Sequence, residues 1–206
     1  MGPGLRLRLS LMMFLQYFLF GTWFVPLGTY MSKGLGFDRI IGNAYGTQGI
    51  AAIVSTLLIG VLADRYFAAQ KLMGVLALAS GATLLLAAQV HASQGAFLAI
   101  VMLHFLCFVP TIPLANAVAL GCIRDRAGQF PGIRVCGTAG WIAGGVLVGA
   151  IPGAAATPLP LQIAGAASLV LGLYCFTLPA TPPARTGEGA GWRALLGLDM
   201  IRRGLT

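Results

Sequence analysis

Three residues on one face of a single apolar stretch hold the most chemistry in this sequence: Arg134, Thr138 and Trp141. At 100° per residue they share one narrow strip of a helix. A guanidinium, a hydroxyl and an indole in that order suit recognition rather than reaction. They offer five N–H donors in a planar fork, one donor–acceptor group and an aromatic plate. Gly137, Gly140 and Gly144 form a second stripe about 90° around the same helix, where small residues let a neighbour approach closely. Arg134 itself has two readings. Near the start of its span it can snorkel to the headgroups. It can equally face an aqueous cavity, because an arginine at mid-membrane costs about +2.5 to +3.5 kcal/mol.

Weaker candidates lie elsewhere in apolar sequence. Gln16, Thr22 and Asn116 could line a pathway or bond across helices, and the second role is the commoner one. His104, among Leu103, Phe105 and Leu106, reads first as a hydrogen-bonded packing histidine and second as a proton relay. Trp23 suits either a pore side or a packing ring. Gly42, Gly46 and Gly49 fall on one helix face beside Asn43 and Thr47, and read as a packing stripe. Paired carboxylates, a nucleophile–base set and Cys/His ligand spacing do not occur. The cysteines (Cys107, Cys122, Cys136, Cys175) sit in or beside apolar runs as free thiols. An enzyme, a cofactor and a metal site are therefore not expected.

These residues need a membrane to sit in. The chain has 206 residues, 58% hydrophobic and 9% charged, against about 25% charged in soluble domains. So few charges cannot solvate the surface of a globule this size. The 29 glycines fit helices packed in lipid. Crossing about 30 Å of hydrocarbon takes about 20 apolar residues. Six runs qualify, at 9–31, 41–63, 72–90, 96–121, 133–152 and 160–179, with a kink expected at Pro110 and Pro113. Residues 1–179 read as a six-helix bundle, and 180–206 as a polar cytoplasmic linker.

The formal net charge of +8 does not point to nucleic acid. The basic residues stand singly or in pairs at the ends of apolar runs, not clustered on one face. Six spans put both termini on one side. That side holds Arg6, Arg8, Arg65, Lys71, Arg124, Arg126, Arg185, Arg193, Arg202 and Arg203, while the other holds Lys33 and Arg39. Positively charged loops stay cytoplasmic, so both termini are expected inside, with loops 64–71 and 121–132 inside and 32–40 and 153–159 outside.

Gly60-Val61-Leu62-Ala63-Asp64-Arg65 closes the second run. An aspartate at the membrane edge needs a basic partner or a helix N-terminus, and Gly60 leaves room for one. The segment resembles the G-x-L-A-D-R-x-G-R loop signature of the major facilitator superfamily. It departs after six positions, with Phe67, Ala68 and Ala69 where glycine and basic residues are usual. Within that superfamily the chain resembles the bacterial nucleoside:proton symporters, nearly end to end. The likeness rests on Leu15-Gln16-Tyr17, Gly21-Thr22-Trp23, Leu27 to Met31, Gly49 to Ala52, Ala87 to Val90 and Pro110-Thr111. The most telling block is Phe130-Pro131-Gly132-Ile133-Arg134-Val135-Cys136-Gly137-Thr138. Trp192 with Leu195 to Asp199 resembles the family's central linker.

This resemblance implies an all-α membrane protein: the six-transmembrane-helix N-terminal half of a major facilitator superfamily transporter, in the bacterial inner membrane. It implies nucleoside and protons as cargo, lipid as surroundings, and a second six-helix half, or a second copy, as partner. It makes Arg134, Thr138 and Trp141 substrate contacts, with Gln16 and Asn116 beside them. Trp141 stands where the family commonly has phenylalanine. Gly60, Asp64 and Arg65 would form the conformational loop. The proton-coupling carboxylates would lie in the other half, since Asp38, Asp64, Asp125, Glu188 and Asp199 all fall at loops or edges. Another solute, sugar or drug, on the same fold is the alternative cargo. A non-transporting membrane protein is the alternative class.

Overall fold

The computed structural model describes residues 2–65 and 68–181, and the side chains of 56–65 are outside that description. Among the described residues every element is helical. They form six rods, one for each apolar run. The first comprises α1 (Pro3–Trp23), the short α2 (Pro26–Thr29) and a π-turn at Tyr30–Gly34. Then come α3 (Ile41–Arg65) and α4 (Ala69–Ala87), followed by α5 (Gln94–Phe108) with α6 (Thr111–Cys122), then α7 (Arg126–Gly149) and α8 (Leu159–Cys175). By length and apolarity, the segments Pro3–Gly34, Ala69–Ala87, Gln94–Cys122 and Arg126–Gly149 can each cross a membrane, and Leu159–Cys175 is a shorter apolar helix.

Local chemistry explains the ends. Pro3 opens α1 at its first turn, where a missing N–H costs nothing. The Ser93 hydroxyl accepts from the Ala96 N–H to start α5. The Asp125 carboxylate accepts from the Gly128 N–H at 3.0 Å and starts α7. That cap moves the fifth rod well ahead of the expected Ile133, so only Ile123–Asp125 links α6 to α7 where a longer 121–132 loop was expected. Pro131 lies inside α7 without ending it. The fourth run breaks between Phe108 and Thr111, as its prolines predict. The first run, expected to be one helix, also breaks at Phe24–Val25 ahead of Pro26.

α1 runs through the middle, against α7, α8 and α6; α4 packs on α8, α5 and α6; α3 packs chiefly on α5. Two crossings depend on glycine. An added Cβ at Gly140 would strike the Phe14 carbonyl, one at Gly144 the Phe18 carbonyl, and one at Gly21 the Trp141 backbone. Gly74 faces the Gly172 carbonyl and Gly81 the Gly165 carbonyl across α4 and α8 in the same way, and the Ser168 hydroxyl there donates to the Ala77 carbonyl at 2.8 Å. The packing role expected for the Gly137–Gly144 stripe therefore holds. The same role expected for Gly42, Gly46 and Gly49 does not. Among the described residues nothing lies within 4 Å of where their Cβ atoms would be, because α3 turns that face away from its neighbour in this bundle.

The two ends of the bundle sort as the apolar runs predict. At one end Arg8 donates to the Thr177 carbonyl and Tyr174 donates to the Arg8 carbonyl. Arg6 lies beside Gly132, and the Thr181 N–H and hydroxyl both donate to Gln70 Oε1. At the other end Gly34 touches the Ala156 carbonyl, the Tyr30 hydroxyl and His91 Nδ1 are 3.4 Å apart, and Phe37 meets Phe97. Gly60, Asp64 and Arg65 have helical backbone, but their side chains, like everything from Pro182 through Trp192 to the end, lie outside the described residues.

Candidate functional site

The α1–α7 crossing aims α7. With Gly137, Gly140 and Gly144 turned into α1, the strip 90° away is carried to the edge of the bundle. There Arg134 and Trp141 are half-buried and Thr138 is exposed. Arg134 does not reach out alone. Its guanidinium carbon sits 4.2 Å from the centre of the Tyr17 ring, a cation–π contact worth about 0.5–2 kcal/mol. Gly137 makes room for it, since an added Cβ there would lie 2.7 Å from Tyr17 and 3.0 Å from an Arg134 guanidinium nitrogen.

Tyr17 begins a row the sequence reading did not single out. Tyr17, Phe20 and Phe24 recur at helical spacing along one face of α1, each half-buried. Trp141 stands edge-on to Phe20 at 4.8 Å and lies 6.4 Å from Phe24. The Tyr45 ring of α3 meets Phe24 edge-on at 5.2 Å. The result is an aromatic wall drawn from α1, α3 and α7, with a cation at the Tyr17 end and an indole near Phe24. The three-, four- and seven-residue spacing of the α1 aromatics was the available signal.

The other predicted residues lie elsewhere. Gln16 is 1% exposed, and its amide nitrogen donates to the Thr111 hydroxyl at 2.7 Å. Thr111 in turn donates to the Phe108 carbonyl at the α5–α6 break, so Gln16 clamps α1 to that break. Its Oε1 is buried without a hydrogen-bond partner, as is Asn116 Oδ1 on α6. The Thr22 hydroxyl donates to the Phe18 carbonyl of its own helix. Trp23 is fully buried and is a packing ring, edge-on to His104 at 4.6 Å. His104 Nδ1 lies 3.1 Å from the Ser80 carbonyl and 3.2 Å from the Ser80 hydroxyl, the packing role read first.

Comparison with known proteins gives the family. The family model described as nucleoside H+ symporter matches residues 3–202. This chain belongs to that family. It is 40% identical over 201 residues to the putative nucleoside transporter YegT of Escherichia coli, covering 94% of this chain and 47% of that protein. It is 34% identical to nucleoside permease NupG and 36% identical to xanthosine permease of the same organism, each over 95% of this chain. A crystal structure of nucleoside transporter NupG superposes with TM-score 0.85 at 33% identity, covering 96% of this chain and 50% of that one. The chain thus spans about half the length of the relatives it matches. As a member of the nucleoside H+ symporter family it has the fold of the N-terminal six-helix half of a major facilitator superfamily transporter, and it is a multi-pass membrane protein.

Proposed function

We propose that the chain supplies the N-terminal half of a proton-coupled nucleoside uptake system, with the Arg134–Trp141 wall as its share of the substrate cavity. One observation carries this reading: Arg134 lies on Tyr17 at one end of an open aromatic wall that runs to Trp141. The Arg134 guanidinium packs on a ring rather than on a carboxylate, which leaves N–H donors for a neutral polar ligand. A nucleoside presents hydroxyls and base carbonyls for the guanidinium fork, and a flat base for the rings. Arg134 stays charged at any physiological pH, so it binds cargo without taking part in proton exchange. Thr138 adds a hydroxyl one turn on.

In the same proposal Gln16 and Asn116, whose unpaired oxygens are buried away from the wall, contact substrate only once a helix movement uncovers them. Gly60, Asp64 and Arg65, at the end of α3 rather than in a loop, couple the bundle to a second six-helix half. Residues 180–206 make the linker, and both termini face the cytoplasm of a bacterial inner membrane. Nucleosides named for relatives are the natural first probes. Uridine titrated into the protein in lipid nanodiscs, followed by the fluorine signal of 5-fluorotryptophan at Trp141, should shift that signal saturably, and other nucleosides should compete. A Trp141 signal indifferent to every nucleoside would remove the proposal. The 206-residue chain alone in liposomes is expected not to accumulate uridine under a proton gradient, because the proton-carrying carboxylates are expected in the other half.

A further inference from the structure

The first rod breaks where an uninterrupted helix would pair the Gly28 N–H with the Phe24 carbonyl. Those two groups are instead joined through a side chain. The Gly28 N–H donates to the Tyr45 hydroxyl at 3.0 Å, and that hydroxyl donates to the Phe24 carbonyl at 2.8 Å. Pro26 contributes by lacking the N–H that would have paired with the Thr22 carbonyl. A side-chain hydroxyl can insert into a helix's hydrogen-bond ladder, and here it comes from α3. Gly28 admits it, since an added Cβ would lie 3.3 Å from the Tyr45 oxygen. The same tyrosine's ring packs edge-on against Phe24, and Phe24 lies beside Trp141.

We propose that Tyr45 is a positioning residue for the aromatic wall: its hydroxyl, set in the ladder of the first rod, holds the Phe24 carbonyl and the Gly28 N–H apart and so keeps Phe24 beside Trp141. Its one proton is spent on Phe24 and it already accepts from Gly28. It therefore acts through the backbone of α1 rather than as a donor to ligand. Without the hydroxyl, the Gly28 N–H and the Phe24 carbonyl close on each other, and Phe24 shifts off the indole. The geometry ties α3 to α1 at the height of Trp141, so a shift of α3 is felt by the wall. The consequence for nucleoside rests on the proposed function above; the consequence for the wall does not.

Tyr45→Phe removes the oxygen and keeps the ring. In nanodiscs, with all three tryptophans carrying fluorine and Trp141 assigned by Trp141→Phe, the Trp141 signal should move in Tyr45→Phe. The Trp192 signal and the melting temperature should hold, which separates positioning from general loosening. Gly28→Ala crowds the same oxygen from the α1 side and should move the Trp141 signal the same way. Uridine affinity should fall about three- to tenfold in both variants, the scale of one lost aromatic contact. An unmoved Trp141 signal in Tyr45→Phe overturns the proposal. A moved signal in a protein whose wild type ignores uridine upholds the positioning of the wall and sinks the nucleoside reading alone.

Discussion

Two helices carry the same stripe, and the bundle uses it in only one. On α7, Gly137, Gly140 and Gly144 press against α1 until backbone meets backbone. On α3, a Cβ added at Gly42, Gly46 or Gly49 would meet nothing within 4 Å among the described residues. The residue pattern is alike, at three- and four-residue steps; the neighbourhoods differ. α7 lies along the central helix, whereas α3 packs chiefly on α5 and stands at the edge. A glycine stripe states that close approach is possible and leaves open to what. On α7, burying the stripe fixes the rotation of the helix and so carries Arg134, Thr138 and Trp141 to the edge of the bundle. On α3 the stripe has no such effect, and Tyr45 on its flank ties that helix to α1 instead.

The comparison breaks most visibly at Gly140. Gly140→Leu should cost about 3 kcal/mol or more, since the obstacle is the Phe14 backbone rather than a flexible side chain. Loss of a monodisperse peak and of the unfolding midpoint in mixed-detergent titration would register it, and a protein of unchanged stability would contradict the packing described. Thr111→Val comes next. It strands the Gln16 amide nitrogen at the α1–α6 contact and should cost about 1 kcal/mol, read from the same unfolding titration. Gly46→Ala is the opposite control. Alanine is the better helix former by about 1 kcal/mol and its methyl meets open space, so stability should hold or rise slightly. A marked loss would mean the α3 stripe is packed after all.

How far the sequence could be read follows the same division. The six rods were legible because apolar runs of about 20 residues have few alternatives, and the sorting of loops to two ends follows from their number. The break at Pro110 was legible from its prolines; the one ahead of Pro26 was not, because it also depends on the Tyr45 hydroxyl arriving from α3. The start of α7 was misplaced because Asp125 caps it in a stretch that reads as loop. That Arg134, Thr138 and Trp141 share one strip of α7 was readable from spacing alone. Tyr17, Phe20, Phe24 and Tyr45 were not, since their role arises only when α1, α3 and α7 come together. Gln16 and Thr22 were ambiguous for the opposite reason: a buried amide or hydroxyl looks the same in sequence whether it faces a cavity or a neighbouring helix.

Arg134 decides the account. Arg134→Lys keeps the positive charge and the long stem that a snorkelling anchor needs, and removes the planar fork. Uridine affinity is measured in nanodiscs for wild type and variant, with insertion checked by expression level and the Trp141 fluorine signal as the reporter. If the guanidinium contacts substrate, losing a charge-assisted hydrogen bond should cost about 1.5–3 kcal/mol, or roughly tenfold or more in affinity. Equal affinities for Arg134 and Lys at this position would make the residue an anchor and end its assignment to the nucleoside cavity.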